Sequence, residues 1–101
     1  MSSPVVEHVT FKLAEGVDPD AFAEAARAAN AWIEAQPGFR ERRLSRGEDG
    51  VWVEHIMWDT MKDAEAAAAR IGKAEEMRPF VSGIDGPTVT MRHNELVASA
   101  G

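Results

Sequence analysis

Two Glu-His pairs, Glu7-His8 and Glu54-His55, are the residues in this chain best suited to moving protons. A carboxyl in an apolar setting becomes an acid or base near neutral pH, and imidazole titrates there unaided. The pairs sit inside matching runs, Val6-Glu7-His8-Val9-Thr10-Phe11 and Val53-Glu54-His55-Ile56-Met57-Trp58, placed 47 positions apart. Neighbouring residues of a strand point to opposite faces, so Glu7 cannot act together with His8 on one substrate. Glu7 can share a face with Glu54, and His8 with His55. Either pairing is a candidate catalytic acid–base set. The plainer alternative puts the glutamates at sheet ends or against arginines, and leaves the histidines as interface hydrogen-bonders.

Other chemistries have less support. Metal binding needs three or four convergent ligands, and the chain offers three histidines (His8, His55 and His93), no cysteine, and no His-x-x-x-His or Glu-x-x-His helix pair. No metal site and no cofactor are expected. There is no glycine-rich phosphate loop, no nucleophile elbow and no nucleotide fingerprint. Arg40, Arg42 and Arg46 alternate onto one face of a strand. Such a row guards a sheet edge or closes dimer salt bridges with Glu41, Glu54 or Glu95; attraction of an anionic substrate is the alternative.

The elements that must position these groups follow from periodicity. Val5 to Leu13 alternates as a strand, with Val5, Val9, Phe11 and Leu13 on the face of Glu7. Asp18 and Pro19 open a helix whose apolar stripe runs from Phe22 to Trp32 and Ile33 and which ends before Pro37-Gly38. Phe39 to Arg46 is a second strand, Gly47-Glu48-Asp49-Gly50 a hairpin turn, and Val51 to Trp58 a third strand with Trp52, Glu54, Ile56 and Trp58 on one face. Thr60-Met61-Lys62-Asp63 resembles a capping box at the start of an alanine-rich helix that Gly72 interrupts. Thr88 to Val97 is the fourth strand. A repeated β-α-β unit predicts a ferredoxin-like α+β fold, βαββαβ, with a four-stranded antiparallel sheet and helices on one side.

The aromatic-rich face is expected under the helices. Phe11, Trp32, Trp58 and Ile56 are the candidate walls of a ligand cavity there, bordered by the small side chains Ala64, Ala67 and Ala68; close helix–sheet packing is the alternative use of those alanines. The other sheet face carries Val6, Val51, Val53 and Met57, too apolar for water, and a second copy of the chain is expected to cover it.

At 101 residues the chain is expected to be one domain, 1–101. A net charge of −6 argues against a nucleic-acid partner or an anionic membrane surface. No apolar run approaches a membrane span and the opening residues lack signal-peptide character, so a cytoplasmic location is expected.

Taken together, His8 on the opening strand, Phe11-Lys12-Leu13, Glu15-Gly16-Val17 and Pro37-Gly38-Phe39 resemble the dimeric α+β barrel superfamily, most of all its stress-responsive A/B barrel domains. Trp58-Asp59 is similar to the Trp-acid pair that leads into the second helix of barrel-type monooxygenases. The resemblance implies a homodimer, a dimeric α/β barrel, with a pocket for a small apolar or aromatic ligand between sheet and helices. It also carries an alternative, a cofactor-free monooxygenase or isomerase of the antibiotic-biosynthesis-monooxygenase-like group, and a second, a non-catalytic dimerisation module. The chain departs from the stress-responsive pattern at Ala74-Glu75-Glu76-Met77, where those domains carry a His-rich stretch, and in the placement of His8. Haem, bound by some relatives through an axial histidine, is not expected, because neither helix contains one.

Overall fold

The computed structural model describes residues 3–101. Strand β1 (Val5–Phe11) is followed by helices α1 (Pro19–Ala28) and α2 (Asn30–Glu34), then by strands β2 (Phe39–Arg46) and β3 (Trp52–Trp58). Helix α3 (Met61–Ile71), a short 3₁₀ turn (Glu75–Met77), helix α4 (Arg78–Val81), a second 3₁₀ turn (Gly86–Thr88) and strand β4 (Thr90–Glu95) complete the chain. The four strands form one antiparallel sheet in the order β2-β3-β1-β4, the ferredoxin-like topology expected of the repeated unit.

Local sequence explains most boundaries. Asp18 accepts a hydrogen bond from the Ala21 amide at 2.9 Å, with Pro19 in the first turn. The Thr60 hydroxyl accepts from the Asp63 amide at 3.1 Å. Asp63 is too short to close the reciprocal bond to the backbone and accepts from the Thr60 hydroxyl instead, at 3.0 Å. Gly38, at φ +82°, turns the chain out of α2 into β2, where its carbonyl receives the Asp59 amide at 2.8 Å.

Several boundaries differ from the sequence reading, β3 opening at Trp52 and β4 closing at Glu95 among them. The first helix is divided at Ala29, between α1 and α2. β1 closes at Phe11, and Leu13 makes only an isolated bridge to Ile84. β4 begins at Thr90, because Gly86-Pro87-Thr88 takes a 3₁₀ turn in which Thr88 caps the Lys12 amide at 2.9 Å.

Alternation decides the layers. Val5, Glu7, Val9 and Phe11 of β1 and Trp52, Glu54, Ile56 and Trp58 of β3 are all buried beneath the helices. The core around Phe11, Phe22, Met77 and Phe80 joins a smaller cluster of Ile56, Trp58, Ala64 and Ala67 under α3. The far sheet face has no helix over it. One register row across it reads Arg43, His55, His8, Arg92, and the next reads Glu41, Met57, Val6, Asn94.

Candidate functional site

Between the sheet and the helices lies a cavity of about 350 Å³, within the range of small-molecule sites. Phe11, Trp32, Ile56 and Trp58 all line it, so the expected ligand walls converge on one space. Small side chains on α3, Ala67 and Ala68, leave that room. Val81, Val89 and Met91, large apolar side chains that are exposed, also border the cavity.

Glu7 and Glu54 supply its polar end, and both are buried. They arrive there because both stand at inward positions of the two central strands, where Glu7 pairs with Ile56 and Val9 with Glu54. Each has a cationic-type partner. Glu54 accepts from Arg42 Nε at 2.6 Å, and both side chains are under a tenth exposed. Arg42 Nη1 donates onward to the Ala26 carbonyl at 2.7 Å and to Asn30 Oδ1 at 2.8 Å, and its guanidinium lies 5.1 Å from the centre of the Phe80 ring. Glu7 Oε2 meets His93 Nε2 at 3.0 Å. Burial pushes the Glu54 carboxyl above the usual glutamate range. The charge and hydrogen bond of Arg42 pull it partly back, and the negative charge of Glu7 adds to the rise. Glu54 is thereby a stronger proton acceptor than an ordinary surface carboxylate, next to an apolar space.

Trp58 completes the polar inventory. It is 2 % exposed, and its indole N–H has no hydrogen-bond partner among the described residues. Arg42 Nη2 is likewise without one.

His8 and His55 stand elsewhere. They face each other across β1 and β3 with ring centroids 4.9 Å apart, on the sheet face away from the helices. The structure therefore brings Glu7 and Glu54 to the cavity and keeps the histidine pair on the other side of the sheet. None of the three histidines lines the cavity, so the donor set does not fit axial ligation of a haem there. Among the described residues no group of three or more His, Asp or Glu side chains converges as a metal site.

The sequence reading allowed an arginine of the second strand to pair with Glu54, but across a dimer; the structure makes that pair within one chain, through Arg42, and adds His93 on Glu7, which the sequence reading did not place there. Arg42 stands on an edge strand, as expected of the arginine row, and turns inward to Glu54 and the Ala26 carbonyl. A β-bulge between Phe39 and Glu41 drops Arg40 out of the alternation, leaving Arg42 and Arg46 on the helix side. Counting back from the hairpin places Arg42 beside Ile56 and one step from Glu54, a signal the sequence did contain. His93 had no such signal, because its facing depends on how β4 registers against β1.

No family model matches the sequence, and a comparison with curated proteins finds no match. Solved structures do match across nearly the whole chain. SnoaB, a cofactor-independent oxygenase from Streptomyces nogalater, is 20% identical with a TM-score of 0.68 over 99% of this chain and 97% of its own. A protein from Bordetella bronchiseptica assigned provisionally as an antibiotic biosynthesis monooxygenase gives 14% identity and a TM-score of 0.78, covering 96% of this chain and 100% of that one. A heme-degrading protein from Mycobacterium tuberculosis gives 21% identity and 0.65, covering 100% and 99%. At these identities the likeness is one of fold: the chain has the ferredoxin-like α+β fold of these structures.

Proposed function

We propose that this protein is a cytoplasmic homodimer that binds a small apolar or aromatic molecule in the cavity between sheet and helices. The observation that carries the reading is an apolar space of about 350 Å³ whose polar end consists of two buried carboxylates. Building such an end is costly, since a carboxylate in an apolar setting must be paired and hydrogen-bonded. Arg42 and His93 meet that need for Glu54 and Glu7. Phe11, Trp32, Ile56 and Trp58 act as walls. Val6, Val53 and Met57, half-buried on the far sheet face, support a second copy covering that face, with His8 and His55 inside the interface.

Cofactor-independent chemistry is the second reading, favoured by the position of Glu54. A raised carboxyl beside the cavity can take an acidic proton from a bound phenol or activated C–H. The stress-responsive A/B barrel resemblance rests on short opening motifs, whereas the solved-structure likenesses support the monooxygenase-like group for this chemistry. Titration of tryptophan fluorescence with a panel of hydroxylated naphthalenes and quinones tests binding, because Trp32 and Trp58 are in the wall. A saturable change is expected, and no change with any member would overturn the binding reading. If turnover is found, Glu54→Gln lowers it by roughly 10²-fold or more; an unchanged rate removes Glu54 as the base.

A further inference from the structure

The cavity presents charge of one sign. Among the described residues, Glu7 and Glu54 are the only charged ones that line it. Arg42 and His93 bind the two carboxylates but do not themselves reach the cavity wall. Arg42 offsets one negative charge, and the second is offset only when His93 carries a proton. Four aromatic side chains, Phe11, Trp32, Trp58 and Phe80, share the same lining. Aromatic faces attract cations through their quadrupole, the more so when water is excluded, and a desolvated carboxylate adds Coulombic attraction, joined by a charge-assisted hydrogen bond where the cation carries an N–H. An anionic ligand would meet two carboxylates and no lining cation.

We propose that the cavity takes a monocation, an amine or quaternary ammonium group on an apolar or aromatic body, with the cationic head against Glu7 and Glu54 and the body among the aromatic rings. The inference rests on the cavity being a ligand site, as above, and adds the sign of the ligand's charge. Neutralising one of two neighbouring carboxylates also relieves their mutual repulsion, which the structure otherwise holds in place with Arg42 alone on the Glu54 side.

The test uses three probes of similar size in tryptophan-fluorescence titrations of the intact protein: benzyltrimethylammonium, its uncharged carbon isostere neopentylbenzene, and phenylacetate. The quaternary ammonium keeps its charge at every pH, so ligand protonation does not confuse the result. Expected is an affinity for the ammonium probe roughly 10-fold or more above that for the isostere, the scale of a desolvated cation–π and carboxylate contact, with no binding of phenylacetate. Glu54→Gln and, separately, Glu7→Gln should bring the ammonium affinity down toward that of the isostere and leave the isostere unaffected. Glu7→Gln keeps Arg42 paired, so it serves if Glu54→Gln does not fold. Equal or tighter binding of the isostere, or binding of phenylacetate, overturns the cationic ligand and leaves the cavity reading intact. Binding of no probe at all overturns both.

Discussion

Replacing Arg42 by methionine tests how the buried acid is held. The side chains of Arg42 and Glu54 are 6 % and 9 % exposed, so solvent screens their attraction little. Removing one partner of such a pair leaves an uncompensated buried charge, a cost of about 3–5 kcal/mol. Methionine keeps the contact with Phe80 but gives up the bonds to the Ala26 carbonyl and Asn30. The charge component has a pH signature. Glu54 is already held above its ordinary value of 4.5, so the fold favours its protonated form. The contribution from that preference is full below about 4.5 and is lost as pH rises through the raised value. Without Arg42, both influences that lower the Glu54 carboxyl disappear, and the window of loss extends further upward. Urea denaturation of wild type and Arg42→Met between pH 5 and pH 8 should therefore show a gap that widens with pH toward the full cost. Other carboxylates cancel in the difference. Arg42→Met/Glu54→Gln should regain part of the loss at pH 8. A gap that is the same at pH 5 and pH 8 would refute the reasoning and assign the cost to lost hydrogen bonds and packing.

Ala67→Leu puts extra carbon into the cavity from α3. With open space there, thermal denaturation should show a gain of about 0.5–2 kcal/mol and ligand titration a loss of binding; destabilisation by about 1–3 kcal/mol would mean the space is already packed. Gly38→Ala places a Cβ 2.1 Å from Asp63 Oδ2 at a positive φ, so a cost of about 1–3 kcal/mol is expected, and an unchanged melting temperature would contradict it. Met57→Arg sets a charge beside Val6 on the far sheet face. Light scattering at micromolar concentration should then return a monomer where wild type returns a dimer, and a wild-type monomer would remove the dimer proposal itself.

Strand identity and facing were legible because alternation is a local signal. Val5, Glu7, Val9 and Phe11 follow one another at every second position, and so do Trp52, Glu54, Ile56 and Trp58, so the inward set needed no partner to define it. The same alternation brought Phe11, Ile56 and Trp58 to one space, and helical spacing brought Trp32 to it. Contacts set by tertiary register were less accessible. His93 lies 86 positions from Glu7 and meets it only through the pairing of β4 with β1. Arg42, twelve positions from Glu54, follows from counting back along β2 from the hairpin, whereas the bulge after Phe39 takes Arg40 out of the face that alternation gave it. Ala67 and Ala68 were ambiguous in principle, since small side chains serve close packing and open cavities equally well, and only the distance between α3 and the sheet decides.

Native mass spectrometry of the protein purified from its source, beside Ala67→Leu purified identically, tests the cavity most directly as a ligand site. Expected is one retained small organic molecule per protomer in wild type and none in the variant. A bare wild-type chain that also takes up no aromatic probe, or a mass increment that survives Ala67→Leu unchanged, would contradict it.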